Sequence, residues 1–331
     1  MTERVVQIAK NLASIPRLSP KIEQERRASV FGMVQSGKTT ILGLLEIVCI
    51  DYANKTNKPG GKSNFHFLVQ ERTSGIRQVS SELRQGMFPE KTPPNVVFEA
   101  DFMMRFGKTF GERQLRLPFC ETAGETFTQM LERFGKGQYD INPNMQDAEL
   151  IHDYILDTDA IILIAPVTRP LGLEKEVGAQ LNLPDVNLSR LLAGIYGYKM
   201  EDQLKNPMYR KIRGIGVFLT KVDGAKIHLA TRHINLETKE GVHYFMSKYF
   251  PETYAVLGWY GLENVKFWPT GLEIESEENE FGQKVGKIHP ANPSRGFKIA
   301  VDYSGDTVKP KGTYEKPMYE CLEWLKSTVM A

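Results

Sequence analysis

Cysteine is scarce in this chain: Cys49, Cys120 and Cys321 are the three in 331 residues. Their wide spacing gives neither a disulfide framework nor a zinc motif, and fits a reducing compartment. Histidine offers no metal-binding spacing either. His228 and His233 are five apart, while His66, His152, His243 and His289 stand alone. An excess of one charge sign is also missing, since 42 Lys plus Arg oppose 40 Asp plus Glu for a formal net charge of +2. That excludes a general electrostatic nucleic-acid binder. The longest apolar run, Ala160–Val167, is far short of the ~20 residues of a membrane-spanning helix. Residues Met1–Pro16 hold no long apolar core and no small-residue cleavage site, so no secretory signal is expected. Repeats and low-complexity tracts are absent. A cytoplasmic protein without nucleic-acid or membrane contact is the expectation.

What is present is ordinary globular material: 25% charged and 41% hydrophobic residues, in a length that suits one large or two modest domains. Thr2–Ile15 carries Val5, Ile8, Ala9 and Leu12 at helical spacing, and Pro16 ends it. Ala28–Gly32 reads as a buried strand and Thr39–Cys49 as an apolar helix. Residues 53–64 read as a polar loop. Asn64–Gln70 predicts a strand and Ser80–Gln85 a helix. Val96–Arg105 and Arg113–Cys120 predict a hairpin. Helices are expected at Thr126–Phe134, Asp147–Leu156, Leu188–Tyr198, Thr238–Phe250 and Tyr319–Met330. Strands are expected at Ala160–Val167, Gly214–Leu219 and Val265–Trp268. Trp259 and Trp268 read as core residues. Strands alternating with helices predict a parallel or mixed α/β sheet.

One motif sets the chemistry. Gly32-Met33-Val34-Gln35-Ser36-Gly37-Lys38-Thr39 fits G-x-x-x-x-G-K-[ST], with a strand before it and a helix after. The glycines allow backbone turns that aim N–H groups at phosphate oxygens. The helix start adds its positive dipole end. Lys38 neutralises the β- and γ-phosphates, and Thr39 offers a hydroxyl to Mg²⁺. Gln35, Ser36 and Thr40 complete the expected phosphate cradle.

Two later segments narrow the nucleotide: Glu121-Thr122-Ala123-Gly124-Glu125 after a strand, and Thr220-Lys221-Val222-Asp223 at the end of another. In this order the three motifs resemble the Ras-like GTPase superfamily over roughly Arg26 to Leu272. Gln85–Thr92 is also similar to the double-GTPase relatives. The resemblance implies an α/β phosphate-loop NTPase fold at 26–274, a three-layer sheet with helices on both faces, mostly parallel with one antiparallel edge strand, with a long first switch (51–94) and an insert (168–213). A helix and linker (1–25) would precede it. A β-hairpin-like excursion (275–313) and a helix (314–331) would follow.

The resemblance also implies roles. Gly124 gives its N–H to the γ-phosphate. Glu121 stands where the family has Asp holding Mg²⁺, and Glu125 where it commonly has Gln orienting the attacking water. A carboxylate there can accept from that water and act as a base if its pKa is raised. Asp223 accepts from guanine N1–H and the 2-amino group, donors that adenine lacks in that arrangement. Lys221 lays its stem along the base. Thr220 replaces Asn, as in the Rho branch. Gly271, after the Val265–Trp268 strand, offers a backbone N–H to guanine O6. Thr92 is the candidate for closing over Mg²⁺ and the γ-phosphate, with Thr73 as second choice. Phe127, Met130, Leu131 and Phe134 form a stripe that packs as core or faces an effector.

The expected cofactors are GTP/GDP and Mg²⁺, and the expected partners guanine nucleotide and an effector or activating protein. The first expectation is a switch hydrolysing GTP, slow without a partner because no intrinsic arginine finger is identifiable. A GTP-holding scaffold and a phosphate-loop ATPase or kinase are the alternatives.

Overall fold

The computed structural model describes residues 24–32, 36–57, 65–71, 75–90, 98–106, 113–121, 158–173, 184–205, 211–304 and 308–329. The helices expected at Thr2–Ile15, Thr126–Phe134 and Asp147–Leu156, and the Phe127–Phe134 stripe, lie outside these residues.

In chain order the elements begin with β1 (Gln24–Gly32), α1 (Lys38–Thr56), β2 (Phe65–Glu71), α2 (Ile76–Arg84), β3 (Phe98–Phe106), β4 (Arg113–Glu121) and β5 (Ala160–Pro166). They continue with α3 (Pro184–Lys205), β6 (Gly214–Thr220), α4 (Val222–Thr231), α5 (Lys239–Tyr249), α6 (Pro251–Trp259) and β7 (Val265–Pro269). The short strands β8 (Ser276–Glu278), β9 (Lys284–Gly286), β10 (Val301–Asp302) and β11 (Lys309–Pro310) follow. The last element is α7 (Glu315–Trp324), which runs into a π-helical turn at Leu325–Val329.

One seven-stranded sheet carries the fold, in the order β2-β3-β4-β1-β5-β6-β7. The β4–β1, β1–β5, β5–β6 and β6–β7 pairs are parallel. β3 is antiparallel to both of its neighbours, so the reversed strand sits one place in from the edge and β2 closes that edge. The β3–β4 ladder is the expected hairpin, with Phe98 opposite Glu121 and Phe106 opposite Arg113.

Alternation along the central strands builds two cores. Ile162 and Ile164 of β5 and Phe218 of β6 face α1, α2 and α7, against Leu42, Leu45, Leu83, Met318 and Leu322. Ile161, Leu163 and Ala165 of β5, with Ile215, Val217 and Leu219 of β6, face the other way. They meet Leu188, Leu192 and Ile195 of α3, Leu229 of α4, Phe245 of α5 and Leu257 of α6. Each such side chain contributes about 1.5–3 kcal/mol by leaving water. Both strands are buried along their whole length, and sheet burial on both faces explains why β5 and Gly214–Leu219 of β6 carry no polar side chain.

Polar groups at the far end of the sheet set the register. Buried Asp159 pairs with Arg26 at 3.3 Å and accepts from the Arg27 N–H at 3.0 Å. The Thr158 hydroxyl accepts from the Ser29 N–H and donates to the Ala160 carbonyl.

Two expectations are corrected. The helix after the phosphate loop runs to Thr56 rather than stopping at Cys49, so its last turn takes in Ala53–Thr56 from the expected polar loop. Tertiary contacts override the weak local signal there. Tyr52 packs edge-on to Phe65 at 4.9 Å and donates to Glu323, and Lys55 donates to the Tyr319 hydroxyl. Trp259 is 55% exposed rather than in the core, its ring edge-on to Tyr196 at the end of α6. Trp268 is in the core, between Phe218 and Trp324.

Candidate functional site

The site assembles where β1, β5, β6 and β7 end, at the carboxyl edge of a parallel sheet, where open α/β folds bind ligands. β1 ends at Gly32. A side chain there would meet the Ser36 Oγ at 2.7 Å and the Ile164 Cβ at 2.9 Å, so only glycine fits. Ser36 is buried, and the chain turns at Gly37 with φ +93°. That left-handed value favours glycine and starts α1 at once. Among the described residues no side chain caps this helix start, and its first turn holds no acidic residue. Its outward N–H groups and dipole therefore favour an anion.

Lys38 is 7% exposed, and its Nζ donates to the Gly32 carbonyl at 2.7 Å. The ammonium thus lies folded over the loop that would hold the phosphates. Thr39 and Thr40 follow in the first turn, half-buried.

The third motif is bonded to the first. The Thr220 hydroxyl donates to the Ser36 carbonyl at 2.6 Å, and the Thr220 carbonyl accepts from the Val167 N–H at 2.9 Å. Lys221 then adopts φ +62°, a left-handed value rare for a side-chain-bearing residue, as α4 begins. Such backbone strain concentrates at ligand sites.

Asp223 lies in the first turn of α4, and its Oδ1 accepts from the Leu272 N–H at 3.0 Å. The backbone of Gly271 is so close that a Cβ there would run into the Asp223 carboxylate. The Thr270 N–H donates to the Leu219 carbonyl at 2.8 Å, which fixes this loop to β6. Burial raises the Asp223 pKa, and N–H donors including that of Leu272, with the Lys221 charge, offset part of the rise. Asp223 as a whole residue is exposed at the surface.

Of the residues expected at the site, the fold therefore brings together Gly32, Ser36, Gly37, Lys38, Thr39, Thr40, Thr220, Lys221, Asp223 and Gly271. Glu121 ends β4, the strand beside β1. Gln35, Thr92, Gly124 and Glu125 lie outside the described residues, as does Thr73. The N–H that engages Asp223 is that of Leu272, which the motifs did not single out. Neither that bond nor the Thr220–Ser36 bond, 184 residues apart in sequence, leaves a local signal. Among the described residues no group of three or more His, Cys, Asp or Glu could hold a metal. No helix among them is long and apolar enough to cross a membrane.

No protein-family model matches the chain. No curated protein matches it either. Among solved structures, it is similar to Sup35 complexed with GDP, at 13% identity and a TM-score of 0.29, over 77% of this chain and 39% of that one. It is also similar to the Saccharomyces cerevisiae Ski7 GTPase-like domain bound to GTP, at 11% identity and a TM-score of 0.32, over 80% of this chain and 45% of the other. The same domain bound to GDP and inorganic phosphate gives 11% and 0.32, over 97% and 53%. The chain thus spans about half or less of the length of these chains. Identities and scores this low carry no functional inference. The class is defined by the chain itself: a three-layer α/β fold with Gly32 and the Gly37–Thr39 helix start at the carboxyl edge of its parallel strands.

Proposed function

We propose that the chain binds guanine nucleotide and hydrolyses GTP to GDP and phosphate as a Mg²⁺-dependent switch. The observation that carries this reading is the bonded junction of Ser36 and Thr220. It sets a carboxylate, Asp223, beside the same sheet edge as the uncapped helix start at Gly37. On this reading the junction sets the spacing between the phosphate cradle and the base-reading carboxylate.

In this reading the phosphates lie on the α1 N-terminus and the N–H groups of the loop. Lys38 exchanges its Gly32 carbonyl for phosphate oxygens. Asp223 takes the guanine N1–H and amino group, with Lys221 along the ring. Guanine donors favour the charged carboxylate, so the base is selected where burial makes an unpaired charge costly. The Thr39 hydroxyl at the helix start and the Glu121 carboxylate at the end of β4 are hard oxygen donors of the kind magnesium takes, one or two alongside waters. When bound, the ion neutralises charge on the β- and γ-phosphate oxygens.

For hydrolysis, Glu125 orients a water against the γ-phosphorus and takes its proton. The bond to the β–γ bridging oxygen breaks, and GDP leaves with that electron pair. Gly124 and Thr92 hold the γ-phosphate before the break, and its loss releases their segments. Charge stabilisation by Lys38 and backbone N–H groups is the main catalytic contribution.

The test is to denature the purified protein, identify the nucleotide released and its phosphate count, and compare GTP with ATP in competition. Guanine nucleotide is expected. ATP binding as tight as GTP binding overturns the guanine assignment. Single-turnover phosphate release separates the switch from a GTP-holding scaffold, which the carboxylates at Glu121 and Glu125 would also suit.

A further inference from the structure

The loop that carries Gly271 does not end at the nucleotide site. It continues into the small antiparallel excursion of β8–β11, and a bonded path crosses that excursion to a distant segment. Asp223 Oδ1 accepts from the Leu272 N–H at 3.0 Å. The carbonyl of the next residue, Glu273, accepts from the Ala300 N–H at 2.8 Å. The N–H of the preceding residue, Ile299, donates to the Gly86 carbonyl at 2.8 Å. Three hydrogen bonds and short stretches of backbone thus join the candidate base-reading carboxylate to the residue just beyond α2.

The junction is fitted on both sides. Gly86 has φ +79°, and a Cβ there would lie 2.8 Å from the Ile299 carbonyl. Ile299 itself is fully buried. Nearby, Arg295 of the excursion reaches across with both terminal nitrogens of its guanidinium. Its two terminal nitrogens meet the Glu82 carboxylate oxygens at 3.3 and 3.1 Å. It also reaches Glu90 at 3.2 Å and the Phe88 carbonyl at 3.5 Å. The Arg295 and Glu82 side chains are each 10% exposed, so this fork is a fixed, largely dry contact. Arg84 adds a bond to the Val308 carbonyl at 3.0 Å. Glu90 stands two residues before Thr92 in the sequence, so the clamped segment lies within the expected first switch (51–94) and leads to Thr92.

We propose that the excursion couples base recognition to the first switch, so that guanine seated at Asp223 and the Gly271 loop holds Gly86–Glu90 in place through Leu272, Ala300, Ile299 and Arg295. Arg295 is then a positioning residue that touches no nucleotide. The proposal rests on the guanine reading of Asp223. By linkage, whatever the base does for the segment, the clamped segment returns to base affinity. A purely structural clamp would leave Gly86–Glu90 indifferent to the base.

The test is hydrogen–deuterium exchange on the full chain with GDP, which fills both phosphate and base sites, and with inorganic pyrophosphate, which fills the phosphate loop alone. Calorimetry establishes saturation by each. GDP is expected to slow exchange in the peptides holding Ile299 and Gly86–Glu90 about tenfold more than pyrophosphate does. In Arg295→Gln that difference should largely vanish at Gly86–Glu90, GDP affinity should fall several-fold, and pyrophosphate affinity should hold. Arg295→Lys should restore part of the effect. Glu90→Gln, which alters only the exposed arm of the clamp, should give an intermediate loss even if Arg295→Gln fails to fold. Equal protection by GDP and pyrophosphate in the unaltered chain overturns the coupling while leaving the guanine reading intact. Absence of any GDP binding overturns both.

Discussion

The Thr220 hydroxyl donates to the Ser36 carbonyl at 2.6 Å, and both residues are buried. This bond joins the end of β6 to the loop that opens α1. Thr220→Val keeps the shape and deletes the donor, leaving a buried carbonyl short of a partner at a cost of about 1–2 kcal/mol. Urea unfolding should show that loss. Because the bond sets the phosphate loop against the base loop, affinity for GDP should fall by about tenfold for the same energy. A variant with unchanged GDP affinity would reduce the bond to packing.

Glu125→Ala should separate binding from chemistry. Removal of the carboxylate expected to orient and deprotonate water should slow single-turnover GTP hydrolysis by about a hundredfold or more. GTP affinity should change little, since Lys38, the α1 start and Asp223 supply the binding contacts. Unchanged turnover in stopped-flow phosphate detection would remove Glu125 from the mechanism.

The sequence shows the sheet because its middle strands carry apolar runs, β5 and Gly214–Leu219 of β6 most plainly. It shows the phosphate loop because Gly32, Gly37, Lys38 and Thr39 are close in the chain. The base loop is legible only as a TKxD next to a distant strand, and the contact of Asp223 with Leu272 is not legible at all. The end of α1 is not legible because Ala53-Asn54-Lys55-Thr56 is locally a poor helix. It is helical through Tyr52 and Lys55, which meet Phe65, Tyr319 and Glu323 from elsewhere in the chain. Aromatic identity favours burial for Trp259, whereas its position at the last turn of α6 leaves the ring half outside. The Arg295–Glu82 fork spans 213 residues and breaks no local rule, so no sequence pattern announces it.

The two described thiols should be inert in the native state. Burial pushes the pKa of Cys49 well up, with Cys321 and Glu46 adding to the rise, and burial alone pushes up that of Cys321. Thiolate, the reactive form, is then vanishingly scarce near neutral pH. Iodoacetamide at pH 8 followed by mass spectrometry should find Cys49 and Cys321 unmodified until denaturant is added. The sign of the linked stability follows. A thiol pKa raised by folding gives stability that is fully present below the unfolded pKa near 9.0 and lost as pH rises beyond it. Unfolding midpoints should therefore drop on the alkaline side, and less so in Cys321→Ala if the rest of its site packs. Rapid native labelling of either residue would contradict the packing of α1 against α7.

Asp223 should give guanine binding an acid limb. Burial holds the carboxyl above its ordinary value of 3.8 in the free protein. Only the ionised form can accept both guanine donors, so proton and base compete for the same oxygens. A raised pKa means that this competition begins at a higher pH than for an ordinary aspartate. GDP affinity should be flat near neutrality and fall by about tenfold per unit once the pH drops below the Asp223 pKa. Asp223→Asn removes the titrating group: the acid limb attributable to it should disappear, GDP binding at neutral pH should weaken by about 10- to 100-fold, and preference should move toward xanthine nucleotides. Gly271→Ala should weaken GDP binding at every pH by pushing the carboxylate aside, without moving the onset of the acid limb to the ordinary aspartate range. Calorimetric titration from neutral pH downward, with circular dichroism to show that the fold persists, reads all three. A GDP affinity that stays constant down to the acid unfolding transition would mean that Asp223 does not read the base.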